Sequence, residues 1–370
     1  MFEKKIATLI LAIFVAGIMV FPVSLATCSE TDNEVAIDFR PVSIESEGWQ
    51  IKGLLIYPEG AVEAPAVIEL HGFTGSKDVH TNERYMYSNR YTHESIGKYD
   101  LTEAFCSRGY VLLLIDLRGH GDTLGAMDYG LMVKDVSNAI TFLQEQPEVD
   151  GNRIGLFGHS LGGMVACVVA GMDERVKATA LWAAPAGMEI SAGLMVHDIL
   201  NLIPIIGPML SGIVDMLLPI IMGMVPLIVG YLPFGAVDSL IGLLGSVVTL
   251  SVYTPILIGT GVGISPEGFC LMIGSCKIYL HHLPVIVKQL TKDTPYPIDY
   301  VGKISPRPLL IVQGQEDTTV HPGNSELLYE NAGEPTTIVR VKNTDHYFTD
   351  PEDKRDEVLT LTAEWFADNL

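Results

Sequence analysis

The stretch Arg153-Ile154-Gly155-Leu156-Phe157-Gly158-His159-Ser160-Leu161-Gly162-Gly163-Met164-Val165 reads as a short buried strand, a G-x-S-x-G turn and the start of an apolar helix that runs on to Ala170. A serine at a sharp strand-to-helix turn is pushed forward from the backbone, with its hydroxyl above the sheet edge. Gly158 and Gly162 suit that turn, because side chains there collide with neighbouring backbone. Five letters alone also fit a glycine-rich turn without chemistry. The flanking strand and helix favour a nucleophile elbow with Ser160 as its nucleophile.

Outward from the elbow, strand and helix patterns alternate. Upstream, residues 35–39 and 50–57 read as antiparallel edge strands, and 64–70 as a buried strand running into His71-Gly72-Phe73-Thr74-Gly75. A polar, Tyr-rich excursion occupies about 78–99. Residues 101–108 then read as a helix, 110–116 as a strand and 130–146 as a helix with Val133, Val136, Ile140 and Leu143 on one face. Downstream, strands are expected at 176–183, 308–313 and 337–342, and helices at 323–331 and 352–369. Apolar strands separated by helices predict an α/β fold with a mostly parallel twisted sheet and helices on both faces. Ligands in such sheets bind at the carboxyl ends of the strands.

A serine hydroxyl becomes an effective nucleophile when a base takes its proton and a third group orients the base. In the order Ser, acid, His that suits an elbow placed before the last strands, Gly314-Gln315-Glu316-Asp317 follows a strand and offers Asp317 as the acid, with Glu316 as the fallback. Asn343-Thr344-Asp345-His346 follows the next strand and offers His346 as the base; a surface histidine is the bland alternative. The oxyanion needs two backbone N–H donors. Leu161, at the helix N-terminus, and Phe73, in the turn after the third strand, are the candidates.

With these residues in hand, the chain resembles the α/β-hydrolase superfamily, especially its esterase/lipase and serine-aminopeptidase-like branch. The resemblance rests on His71-Gly72-Phe73-Thr74-Gly75, on Asp116-Leu117-Arg118-Gly119-His120-Gly121, on the elbow, and on Gly314-Gln315-Glu316-Asp317 with His346. It covers about residues 35–187 and 300–370. It implies that Asp116, Arg118 and His120 brace the floor of the site, and His71 and His159 are read as scaffold likewise. The serine at position 160 separates the chain from the superfamily's haloalkane and epoxide branches, which carry an aspartate there.

The core is expected in two parts, 29–187 and 303–370, separated by a large apolar helical cap over 188–302. From Ala178 through Cys276 there is no Lys or Arg, and Pro204, Pro208, Pro219, Pro226 and Pro233 divide the apolar runs into short helical pieces. A membrane hairpin is a competing reading. However, an inward hairpin needs a basic cytoplasmic turn, and Asp215 and Asp238 near a bilayer centre cost about 3 kcal/mol each. A cap that covers the pocket and dips into lipid is favoured, with a dimer interface as the third reading.

At the N-terminus, Lys4 and Lys5 precede an apolar run to about Ala26. Residues 1–28 therefore read as a signal peptide or a retained membrane anchor, with the catalytic domain outside the cytoplasm and a membrane surface as a partner. Lipidation at Cys28 is a weaker option, since Thr27 sits where a smaller residue is usual.

Of the 370 residues 48% are hydrophobic, enough for a sizeable core; 44 acids against 23 bases give a net charge of -21, which disfavours a nucleic-acid partner. Five cysteines are too few for a disulfide framework. Cys106 and Cys167 read as core residues, while Cys270 and Cys276 are spaced to bridge. No metal-ligand spacing appears, His281-His282 reads as a surface pair, and no cofactor is expected. The expectation is a serine carboxylic ester hydrolase acting on a small hydrophobic ester. An exported serine peptidase acting on short peptides and a non-catalytic membrane-associated binding module are the alternatives. The oligomeric state is not legible.

Overall fold

The computed structural model describes residues 35–73, 75–77, 101–187, 260–265, 268–273, 276–278 and 294–370. The expected N-terminal segment, the 78–99 excursion and most of the insertion lie outside the described residues.

Eight strands form one sheet: β1 (Ile37–Ser46), β2 (Trp49–Pro58), β3 (Ala64–Leu70), β4 (Val111–Ile115), β5 (Val149–His159), β6 (Val176–Trp182), β10 (Leu309–Gly314) and β11 (Thr336–Val341). Their spatial order is β1-β2-β4-β3-β5-β6-β10-β11. The first two junctions are antiparallel and the others parallel. β1 is one edge of the sheet, whereas β2 is paired on both sides. Glu47 and Gly48, both at positive φ, close the β1–β2 hairpin, the backbone that a tight two-residue loop requires.

Helices α1 (Tyr129–Gln144) and α2 (Leu161–Met172) pack against one face of the sheet. Asp128 caps α1 by accepting from the Leu131 N–H at 3.0 Å. α3 (Pro297–Tyr300) and α4 (Gly323–Asn331) lead into and out of β10, and α5 (Arg355–Asn369) covers the opposite face with Val358, Leu359, Ala363 and Phe366. β4 shows why both faces need cover. Val111, Leu113 and Ile115 enter one core, and Leu112 and Leu114 the other. Successive side chains alternate across a strand, so an unbroken apolar run is a strand buried twice.

The helix read over 101–108 is present as a five-residue π-helix over Thr102–Cys106, followed by a turn. One local reading is corrected. In the insertion, the expected helical character fails at its end: β7 (Thr260–Ser265), β8 (Gly268–Ile273) and β9 (Cys276–Ile278) form an antiparallel sheet. The signal was present in two-residue links, Pro266-Glu267 and Gly274-Ser275, between short apolar runs. A Gly-Ser link is a tight hairpin signature. Of the rest of the expected cap, residues 188–259, 266–267, 274–275 and 279–293 lie outside the described residues. Cys276 is buried, with its Sγ 3.9 Å from Met127 Sδ; the Cys270 side chain, and with it the expected 270–276 bridge, lies outside what is described. In the ladder Cys276 pairs with Ile273 and Cys270 with Gly263, so the two cysteines are not cross-strand partners.

Candidate active site

Ser160 stands between β5 and α2 with φ 53° and ψ −115°, a left-handed strained conformation for a residue with a Cβ. Such backbone costs about 1–3 kcal/mol and survives where its surroundings over-determine it. Here the Ser160 N–H donates to Trp182 O at 2.8 Å, and Ser160 O accepts from the Met164 N–H at 3.0 Å. A Cβ on Gly162 would lie 1.9 Å from Leu70 O, and one on Gly158 would lie 2.3 Å from Gly162 O. Glycine at both positions lets β3, β5 and α2 close on the turn.

Asp317 and His346 meet although they are 29 residues apart: His346 Nδ1–H donates to Asp317 Oδ2 at 2.7 Å, and both are buried. The neighbouring strands β10 and β11 end beside each other, and Gly314 lets the second loop fold over the first. A Cβ there would lie 2.3 Å from Asp345 O. The Glu316 N–H also donates to Thr344 O at 2.9 Å, which engages the fallback acid's backbone in loop closure. The elbow is tied to the same loop. His159 Nε2–H donates to His346 O at 2.9 Å, and the two rings lie 4.7 Å apart.

The turn after β3 lies against the elbow. A Cβ on Gly72 would approach His159 Nδ1 to 3.2 Å and Ser160 Cβ to 3.5 Å. His71 Nε2 accepts from the Leu117 N–H, which leaves Nδ1–H to donate to Gly72 O at 2.7 Å. Gly72 O also accepts from the Gly75 N–H. Because the peptide is planar and trans, fixing Gly72 O on one side turns the Phe73 N–H to the other. Leu161 is the first residue of α2, where the helix end favours a developing negative charge.

The floor is two buried charge clusters. Asp116 accepts from the Lys77 N–H at 2.7 Å, from Lys77 Nζ at 2.9 Å and from the Asp122 N–H at 2.7 Å. Burial outweighs the Lys77 charge and pushes the Asp116 carboxyl up to about 6. Arg118 makes a bidentate pair with Asp135, which also accepts from Ser46 Oγ. Burial raises the Asp135 carboxyl despite these donors. Burial also lowers His120 to about 4, and, with the neighbouring His346 adding to the effect, His159 to about 3.

The sequence profile of the alpha/beta hydrolase family matches residues 70–360. The chain belongs to the alpha/beta hydrolase family. Among curated relatives, the polyketide transferase ATR5 of Stachybotrys chlorohalonatus is 29% identical over 146 residues, covering 38% of this chain and 41% of that protein. The thiohydrolase aneE of Aspergillus aculeatus is 28% identical over 150 residues, covering 40% and 41%. The chain thus spans about two fifths of the length of these relatives. An esterase of Pyrococcus furiosus shares the fold, with a TM-score of 0.53 at 17% identity over 92% of this chain and 95% of that one.

Two further residues of this alpha/beta hydrolase shape the site without having been singled out in sequence. Gln313 Nε2 donates to Asp317 Oδ2 at 2.9 Å, while its Oε1 accepts from Ser325 Oγ at 2.7 Å. Asp317 Oδ1 accepts from the Thr319 and Val320 N–H groups, both at 2.8 Å. A glutamine inside an otherwise apolar buried strand was the available signal. Asp345, beside His346, accepts from the Tyr347 and Thr349 N–H groups at 3.1 and 2.8 Å and fixes the loop. Replacing Gln313 with leucine is expected to lower stability by about 2 kcal/mol, because a hydrogen bond to a charged group is lost. Urea unfolding checks this; an unchanged midpoint would show that the bond carries no net stability.

The buried histidines set a pH dependence of stability. In the unfolded chain a histidine takes up its proton near 6.5, whereas folded His120 and His159 stay neutral down to about 4 and 3. The unfolded state therefore binds more protons below pH 6.5, and the stability present above that pH is lost on acidification. Asp116 opposes this between about 6 and 3.8, where the folded carboxyl holds the extra proton. Asp135, also raised by burial, offsets a further part; the two histidines outweigh the two carboxyls, so stability should fall from pH 6.5 to 4.5. Denaturant midpoints at the two pH values measure it, and a higher midpoint at pH 4.5 would contradict the sign.

Proposed function

We propose that this alpha/beta hydrolase cleaves carboxylic esters with a hydrophobic acyl or alcohol part through an acyl-enzyme on Ser160. The observation that carries the reading is the His346–Asp317 pair, held by His159 beside a strained serine elbow. His346 takes the Ser160 proton as the hydroxyl attacks the carbonyl, then gives it to the leaving alcohol. It next activates water to release the acid. Asp317 holds the proton on Nδ1, so that Nε2 is the basic nitrogen. The Phe73 and Leu161 N–H groups receive the oxyanion. The route needs no cofactor.

The hydrophobic preference rests on the apolar insertion between β6 and α3. The names of relatives, esterase and thiohydrolase, support acyl transfer to water as the reaction class. We further propose that residues 1–28 export the chain, cleaved or kept as an anchor, so that the catalytic domain works outside the cytoplasm at a membrane surface. Protease treatment of intact cells tests this, since a protected catalytic domain would place it inside. Among the described residues no helix is long and apolar enough to cross a membrane.

The test of the activity is a panel of p-nitrophenyl esters of graded chain length, matched acyl thioesters and aminoacyl-anilides. Ester turnover rising with chain length supports the proposal. Turnover of anilides alone would favour the short-peptide peptidase, and turnover of none a binding module that keeps the fold.

A further inference from the structure

The turn Gly119-His120-Gly121 touches three things at once. On one side, buried His120 directs Nε2 at Phe73 O, 2.5 Å away, and the rings of the two residues meet edge-on at 5.9 Å. On its own loop, His120 Nδ1 lies 3.1 Å from Arg118 O. A neutral imidazole carries one N–H, and the closer contact assigns it to Nε2. On the far side the turn holds the last strand of the insertion. The Lys277 N–H donates to Gly119 O at 2.8 Å, Lys277 Nζ donates to Gly121 O, and His120 forms a bridge with Cys276.

The turn itself has little freedom. A Cβ on Gly121 would sit 2.3 Å from Asp116 Cγ, and one on Gly119, at φ 80°, would sit 3.1 Å from Met127 N. Asp116 in turn grips Lys77, at the other end of the loop that begins with Gly72. The loop carrying Phe73 is thus fastened at Phe73 and at Lys77 to the 116–121 segment, which in turn contacts β9.

We propose that His120 is a positioning residue for the Phe73 N–H and that it links this oxyanion donor to the insertion through β9. Gly72 O, held by His71, fixes one peptide plane at Phe73, and Phe73 O, held by His120, fixes the next. Displacing either re-aims the N–H that lies between them. Through β9 the insertion then influences how well the oxyanion is received once it forms. The inference rests on the acyl-enzyme reading of Ser160 and Phe73.

The test uses side chains of different reach. In His120→Gln the amide nitrogen takes the place of Nε2 and keeps the bond to Phe73 O. In His120→Asn it takes the place of Nδ1 and keeps only the Arg118 contact. With p-nitrophenyl butyrate, His120→Asn is expected to lose about tenfold or more in kcat with KM little changed, against the 10²–10³ seen when an oxyanion donor is removed outright. It should weaken inhibition by phenylboronic acid, a tetrahedral mimic, by a similar factor, and His120→Gln should regain most of both losses. Lys277→Met, which loosens the turn from the far side, should lower kcat by about threefold with the same boronate signature.

Equal losses in the Asn and Gln variants, or a kcat loss without weaker boronate binding, would overturn the positioning role. Should His120→Asn fail to fold, Lys277→Met carries the test, and wild-type kcat and boronate affinity there overturn the link. Ser160→Ala run alongside separates the two levels. If it is inert while these variants match the wild type, only this inference falls; if it is active, the acyl-enzyme reading falls with it.

Discussion

Ser160→Ala is expected to lower kcat on p-nitrophenyl esters by about six orders of magnitude while leaving the fold unchanged. Alanine keeps the Cβ, so the backbone strain at φ 53° is the same in both proteins. Both main-chain hydrogen bonds of residue 160 also persist, since neither uses the hydroxyl. Only the proposed nucleophile is removed, and with it the proposed acyl-enzyme. Because nucleophile and base act as a unit, Ser160→Ala with His346→Ala should be no slower than Ser160→Ala alone. Burst kinetics add an independent reading: an acyl-enzyme that accumulates releases p-nitrophenol ahead of steady state. Retention of a tenth or more of wild-type turnover by purified Ser160→Ala would rule out the serine route.

The largest expected loss of stability follows Arg118→Ala. Arg118 and Asp135 are both buried, and the guanidinium meets the carboxylate through Nε at 2.9 Å and Nη2 at 2.5 Å. Removing one partner of a buried pair costs about 3–5 kcal/mol, since the remaining charge has neither water nor a counter-ion. Arg118 Nη2 also donates to Ser46 O at 3.2 Å, so the β1–β2 hairpin loses one of its fastenings to the sheet floor. Burial already raises the Asp135 carboxyl with arginine present. In the variant it should be raised further and protonate, which limits the loss as pH falls. Urea unfolding at pH 7.5 and 5.5 measures both effects. Arg118→Met with Asp135→Leu should recover most of the stability, because two apolar side chains of similar volume carry no unpaired charge. If the single and double variants unfold at the same midpoint, the cost lies in lost packing and not in the buried charge.

Much of the fold was legible because its signals are local. Residues 323–331 form the expected helix end for end, and β5, α2 and β6 fall close to where apolar period and glycine punctuation place them. The miss at 260–278 has a local cause: short apolar runs do not distinguish helix from strand by period, and the two-residue links that join these strands into hairpins are the signal that does. Gln313 is a different case, because a buried amide has meaning only once the carboxylate it serves is known.

By itself, then, the chain order of strands, helices and glycines determined a parallel sheet with a serine elbow at one rim. Those are consequences of sterics and side-chain period within a few residues. Chain order also nominated Asp317 and His346 for that rim, but only tertiary structure decided how these and other distant groups meet there. Asp317 meets His346 because β10 and β11 are neighbours with a glycine at the crossing. Phe73 meets His120 because β3 and β4 are neighbours. The small sheet of the insertion fastens to that same turn. Such meetings arise from strand order, and strand order depends on the packing of the whole sheet, which no short window of sequence contains.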